Sequence, residues 1–270
     1  MFYANRLAAR VASLFILLAS PPLAAEVVIT QLANGGVILS SGETRVMIDG
    51  MVVEPYSIYA GLPPEAAADF EAASGVFDGI DLVLASHRHH DHNQPAFACE
   101  FMQKSTGSEL VTSSEVIGLM REKCRPFVTG SDRLRTVNPQ PGQPVTIENA
   151  GARVTVFRLS HGKRKYAKIE NFGHLVEMDG IRLLHIGDAA MDPLAFEEAG
   201  LSGELIDVAF VPAWFFQPGP GSAVVERFMN APLKIAVQVP PDEVAEARAF
   251  LEANFPGVLL LDPLTEIQVP

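Results

Sequence analysis

Ile80-Asp81-Leu82-Val83-Leu84-Ala85-Ser86-His87-Arg88-His89-His90-Asp91-His92 is a mostly apolar, partly β-branched run that ends in a cluster of metal-ligating side chains. The run has the length and composition of a buried strand. Four of the chain's seven histidines fall in the six residues that follow Ser86. His87 and His89 are alternate residues leaving a strand, so both side chains can point to one side and reach one ion. Asp91 and His92 come after the chain turns and can face a second ion nearby. Imidazole nitrogen and carboxylate oxygen are ordinary zinc ligands, and catalytic zinc sites use three protein ligands with one position left for water. A solvated polyhistidine loop is the alternative reading, and it leaves the fixed spacing of four residue types unexplained. Arg88 and His90 fill the variable positions, with His90 at the surface or supporting a ligand.

The chain has 270 residues, of which 48% are hydrophobic and 19% charged, enough to bury a large core. Residues 1–25 carry Arg6 and Arg10, then the short apolar run Val11 to Ser20, then Pro21-Pro22 and Leu23-Ala24-Ala25. That order reads as a cleaved secretory signal, with an uncleaved N-terminal anchor as the alternative. The expected mature domain is 26–270, a single unit without repeats or a long linker, periplasmic or secreted. No later stretch is apolar enough to span a bilayer. The formal charge is −12, and loss of Arg6 and Arg10 makes it more negative. An acidic surface excludes nucleic acid and anionic membranes as expected partners and leaves a small-molecule substrate. Cys99 and Cys124 are the only cysteines. They are either a disulfide, as an oxidising compartment allows, or two buried thiols.

Short strands are expected at Val27 to Leu32, Gly36 to Ser40 and Thr44 to Asp49, with a hairpin turn at Ser41-Gly42. Helices are expected from Pro63-Pro64-Glu65 to Ser74, over Gln94 to Lys104 and over Ser113 to Lys123. The second half alternates in the same way. Its strand candidates are Val145 to Ile147, Arg153 to Leu159, Gly173 to Glu177, Ile181 to Ile186, Leu205 to Pro212, Lys234 to Val239 and Val258 to Leu261. Its helices are Ser222 to Asn230 and Pro241 to Ala253, the latter with an apolar stripe at Val244, Ala247 and Leu251. This pattern predicts layered α/β structure with mixed sheets.

His87-x-His89-x-Asp91-His92 at the end of a strand resembles the hallmark of the metallo-β-lactamase superfamily of metal-dependent hydrolases. The resemblance continues along most of the mature chain. His161, in Leu159-Ser160-His161-Gly162, stands where the family has its next histidine. Leu183-Leu184-His185-Ile186-Gly187-Asp188 resembles the strand that ends in a Gly-Asp pair, which makes Asp188 the ligand shared by two ions. Arg45-Val46-Met47-Ile48-Asp49-Gly50 resembles an early strand ending in a structural aspartate, so Asp49 is expected to hydrogen-bond the ligand loop. The fold this implies is a four-layered αβ/βα sandwich with the metals at one edge. The ligand set it implies is His87, His89, Asp91, His92, His161 and Asp188, holding one or two zinc ions. Activity would then be hydrolysis of an ester, lactone, lactam or phosphoester bond by a metal-activated water, with Asp188 orienting it and Asp91 handling a proton.

One family element is missing. A last histidine is expected after a late strand, and no histidine follows His185. Lys234-Ile235-Ala236-Val237-Gln238-Val239-Pro240-Pro241 is the equivalent stretch, which puts Gln238 in the histidine's place, with Pro240 as the less favoured register. A neutral amide is a weak zinc ligand, so the second position is expected to be weakened. A non-catalytic metal- or ligand-binding protein derived from such an enzyme is therefore a competing reading. An iron redox site ranks below both, because the motif keeps its histidines.

The remaining features have two readings each. His174, in Asn171-Phe172-Gly173-His174, fits a hydrogen-bonded sheet residue better than a ligand. His185 either supports a ligand or packs in the core. Gly162-Lys163-Arg164-Lys165 either holds an anionic group of a substrate or is a solvated loop. Pro212-Ala213-Trp214-Phe215-Phe216-Gln217-Pro218-Gly219 either lines an apolar pocket or packs in the core.

Overall fold

The computed structural model describes residues 26–162 and 164–270; the expected signal segment 1–25, Lys163 and the Arg164 side chain lie outside the described residues. Two seven-stranded sheets form the centre. The first contains β1 (Val27–Gln31), β2 (Val37–Ser41), β3 (Thr44–Ile48), β4 (Leu82–Leu84), β5 (Glu109–Thr112) and β6 (Leu134–Thr136). The second contains β7 (Val145–Asn149), β8 (Ala152–Ser160), β9 (Glu170–Met178), β10 (Ile181–His185), β11 (Val208–Pro212), β12 (Leu233–Val237) and β13 (Val258–Leu259). The last strand, β14 (Glu266–Val269), returns to the edge of the first sheet beside β1.

Each sheet is half antiparallel and half parallel. β1, β2 and β3 are antiparallel neighbours, and β3, β4, β5 and β6 run parallel. In the second sheet β7 to β10 are antiparallel, and β10 to β13 run parallel. The parallel connections carry the helices, as crossovers require.

Strand periodicity explains the layers. Val46, Ile48, Leu82 and Leu84 point to the inner core, where they join Val154, Val156, Phe172, Leu183 and Phe210 of the other sheet. The intervening Met47 and Val83 point outward, into a second core with Phe70, Phe77, Phe101 and Met120. Both faces of these strands are apolar, so both must be covered. The first sheet is covered by α1 (Pro64–Ala72), α2 (Pro95–Lys104) and α3 (Ser114–Gly130). The second is covered by α4 (Pro193–Glu198), α5 (Pro220–Phe228) and α6 (Val244–Asn254). The result is the expected four-layered sandwich.

Several details depart from the sequence reading. β5, β6, β14 and α4 were not foreseen, because they are short and lack a long periodic pattern. The β2–β3 turn falls on Gly42-Glu43, since Ser41 pairs with Thr44. α3 continues beyond Lys123 to Gly130 through a kink at Cys124, ahead of Pro126. Cys124 at that kink forms a disulfide with Cys99 of α2, over a Cα separation of 6.2 Å. Phe215 and Phe216 of the aromatic loop are buried in the outer core with Phe196 and Phe228, so the core-packing reading holds for both. On α6, Leu251 is buried while Val244 and Ala247 are half-buried.

Candidate metal centre

The candidate residues leave five strand ends at one edge of the sandwich, four of them in the parallel halves. Asp49 follows β3, the histidine cluster follows β4, Asp188 follows β10 and Gln238 follows β12. These four strands end at the carboxyl edge of the parallel halves, where α/β folds carry their sites. His161 follows β8, which runs in the same direction as β10 because both are antiparallel to β9.

His87, His89, His161 and Asp188 converge on one point. His87 Nε2 and His89 Nδ1 are 3.0 Å apart, and His161 Nε2 is 3.2 Å from His89 Nδ1. Asp188 Oδ2 lies 3.8 Å from His87 Nε2 and 3.6 Å from His161 Nε2. Ligands about 2.0–2.1 Å from a tetrahedral ion lie about 3.3 Å from one another. The four ligand atoms thus have the spacing and chemistry of a tetrahedral metal shell.

Hydrogen bonds fix which ring nitrogens face inward. Ser86 Oγ donates to Asp49 Oδ2 over 2.6 Å and lies 3.0 Å from His87 Nδ1. A hydroxyl has one proton to give, so this oxygen accepts from His87 Nδ1–H, and Nε2 keeps its lone pair for the cluster. Asp49 Oδ2 also accepts from His92 Nδ1 over 2.8 Å, and Oδ1 accepts from the Ser86 backbone N–H over 2.7 Å. Burial opposes charge on Asp49, but His92, His185 and Ser86 outweigh it and hold its pKa at about 2. Burial drives His87 well below the ordinary histidine range, so its imidazole is neutral and able to ligate.

Asp188 is positioned from behind. Its backbone N–H donates to Asn171 Oδ1 over 2.9 Å, while Asn171 Nδ2 donates to the Ile186 carbonyl over 3.2 Å. Gly187 turns the chain at φ 54°, and a Cβ there would lie 2.5 Å from Asn171 Oδ1, so both conformation and space require glycine. Burial would raise the Asp188 pKa, but His92, His161 and His89 lower it below the usual carboxylate range.

A second group, Asp91, His92 and Asp188, shares the Asp188 carboxylate. His92 Nε2 is 3.1 Å from Asp188 Oδ1 and 3.8 Å from Asp91 Oδ2. Gln238 completes the wall of this group, and its Nε2 donates to Asp91 Oδ2 over 2.7 Å.

A beta-lactamase superfamily domain matches residues 45–253, a span that includes every one of these groups. The chain belongs to the metallo-β-lactamase superfamily. A UPF0173 metal-dependent hydrolase of Thermococcus onnurineus is 26% identical over 200 residues, covering 72% of this chain and 76% of the relative. The metallo hydrolase Igni18 of Ignicoccus hospitalis shares the fold at a TM-score of 0.58 and 16% identity, over 91% of this chain and 99% of that one. Zinc-bound PqqB from Methylobacterium extorquens does so at 0.58 and 14%, over 90% and 99%.

Against the superfamily's ligand pattern, the other histidines fall outside both groups. His174 lies in β9 opposite Val156 and His185, and neither ring nitrogen has a hydrogen-bond partner among the described residues. Burial lowers its pKa to about 3, so it is a neutral core residue rather than a hydrogen-bonded one. His185 Nδ1 accepts from the Gly187 N–H, and its Nε2 donates to the Gly35 carbonyl over 2.8 Å. It braces the Gly187-Asp188 turn from below. His90 is exposed with its ring 5.0 Å from Tyr56. Arg88 pairs with Glu115 at 3.5 Å. In the basic run, Lys165 is exposed with its Nζ 4.4 Å above the Tyr166 ring.

Sequence reasoning missed three neighbours of the superfamily site. Asn171 is a buried amide opening an apolar strand, which is a legible but unspecific signal. Tyr166 presents its ring 4.7 Å from that of His89. Tyr59 reaches the site from the loop after β3, a placement that no local pattern encodes. Burial, then Asp188 and Asp91, raise its phenol pKa above the ordinary range.

Proposed function

We propose that this chain is a metal-dependent hydrolase that holds a zinc ion between His87, His89, His161 and Asp188. The observation that carries the reading is the convergence of these four ligand atoms, 3.0 to 3.8 Å apart where measured, with the His87 tautomer fixed by Ser86. Bound there, the ion would supply Lewis acidity and make a water acidic near neutral pH. The chain's own residues do the rest. Asp188 is anchored through Asn171 and Gly187 and orients what lies in front of the histidines. Asp91, hydrogen-bonded by Gln238 and beside the same ligand cluster, holds or passes a proton. The substrate is a small molecule with an ester, lactone, lactam or phosphoester bond. Substitution of Gln238 for a histidine weakens the second position, formed by Asp91, His92 and Asp188.

We further propose an exported, periplasmic or secreted location. The N-terminal reading of residues 1–25 supports it, and so does the Cys99–Cys124 disulfide, because disulfides persist in oxidising compartments. The acidic charge supports a protein that does not bind nucleic acid.

Gln238 favours one competing reading, a binding protein that has lost turnover. Elemental analysis of protein purified without chelator and supplied with zinc tests the metal reading, followed by hydrolysis screens across the four bond classes. Tight zinc lost in His87→Ala but kept in His174→Ala is expected. Equal losses in both variants would show that the ion is elsewhere, and bound zinc without turnover of any class would favour the binding protein.

A further inference from the structure

Gln238 is more than an absent histidine. It is buried and adopts φ 64°, a conformation that non-glycine residues seldom take. Its backbone N–H donates to the Asn34 carbonyl over 3.2 Å. The Asn34 side chain in turn donates to the Ala60 carbonyl over 2.9 Å and to the Asp91 carbonyl over 3.2 Å. One residue thus ties together the end of β12, the ligand loop and the loop carrying Tyr59. The Tyr59 side chain on that loop lies beside the Gln238 side chain.

The amide has a defined orientation. Nε2 donates to Asp91 Oδ2 over 2.7 Å. Oε1 is buried without a hydrogen-bond partner among the described residues and faces Gly35, where a Cβ would lie 3.3 Å away. Turning the amide over would aim its N–H groups at Gly35, whose carbonyl already accepts from His185 Nε2. It would also set an amide oxygen against the Asp91 carboxylate. The orientation that a second cation needs is therefore the disfavoured one.

We infer that Gln238 determines how many ions the centre takes, by donating to Asp91 and so excluding a cation from the Asp91, His92 and Asp188 position. This rests on reading the His87 cluster as a metal centre. It differs from the loss of one ligand, because an occupied Asp91 oxygen must be released before a second ion can bind. A hydrogen bond to a charged acceptor makes the difference roughly ten- to a hundredfold in affinity.

The test is zinc stoichiometry and affinity by chelator competition, on wild type, Gln238→Leu and Gln238→His, each also in a His87→Ala background. Circular dichroism confirms folding. Leucine supplies neither ligand nor N–H. The inference expects one tight zinc in wild type, a second zinc bound roughly ten- to a hundredfold more tightly in Gln238→Leu than in wild type, and two tight zincs in Gln238→His. Two tight zincs in wild type would overturn it. So would a second-zinc affinity in Gln238→Leu no better than in wild type, which would make Gln238 a missing ligand only. If Gln238→Leu fails to fold, Gln238→Met replaces it on the same criterion. A wild type without tight zinc would refute the His87 reading, while zinc gained at the second position by the Gln238 variants in the His87→Ala background would still support the exclusion.

Discussion

Asp49 Oδ2 accepts a hydrogen bond from His92 Nδ1 over 2.8 Å, and the same oxygen accepts one from the Ser86 hydroxyl that orients His87. One buried carboxylate at the end of β3 therefore orients a histidine in each ligand group. Asparagine keeps the size but presents an N–H where at least one of these donors must be accepted. Asp49→Asn is expected to weaken zinc binding about 10- to 100-fold, the usual cost of losing such support behind a ligand. Chelator competition measures it, and an unchanged affinity would show that His87 and His92 are held by packing alone.

Acid should destabilise the fold through buried histidine before it does so through Asp49. His174 is neutral in the folded protein, with its pKa lowered by burial to about 3 from the ordinary 6.5. The unfolded chain takes up a proton below pH 6.5 that the folded chain refuses, so stability falls as pH drops from 6.5 toward 3. The contribution to the slope is up to about 1.4 kcal/mol per pH unit. Urea unfolding followed by Trp214 fluorescence reads it directly. His174→Leu should flatten the slope in this window, and an identical slope in the variant would assign it to other groups.

For Asp49 the sign is that of a depressed carboxylate. Its stabilisation is present above pH about 4 and is lost as pH falls through about 2. The metal-free Asp49→Asn variant should therefore lose less stability than wild type between pH 4 and pH 2. Parallel acid titrations by circular dichroism compare the two, and coincident curves would contradict the prediction.

Asn171 bridges β8, the β10 end and Asp188 with one buried amide. Asn171→Ala leaves the Asp188 N–H without its acceptor, at a cost of about 1–3 kcal/mol. Zinc affinity should fall with it, because Asp188 loses its backbone anchor. A stability loss with unchanged zinc affinity would make Asn171 a purely structural brace.

The Cys99–Cys124 disulfide closes a span of 25 residues between α2 and the kink in α3. A cross-link of that length contributes about 3 kcal/mol by restricting the unfolded chain. The Cys99→Ala/Cys124→Ala double variant should show a clearly lower thermal midpoint, while zinc content stays the same because neither cysteine belongs to the ligand groups.

The sequence alone determined the strands whose apolar runs are long enough to show a period, the layered class, and the ligands written in one short motif. His87, His89, Asp91 and His92 are legible because a single strand end presents them at fixed local spacing. His161, Asp188 and Gln238 were legible through resemblance, since each follows a recognisable strand. The tertiary structure decided what depends on contacts distant in sequence. It brought Cys124 to Cys99, turned the Pro212–Gly219 aromatics into the core, and set Tyr59 beside Gln238. It also placed the Gln238 N–H on Asp91, 147 residues away in the chain. Residue type had marked Gln238 only as a weak ligand. The direction in which its amide points is fixed by Asn34, Gly35 and Asp91, and no local pattern can encode an orientation that three separate segments impose.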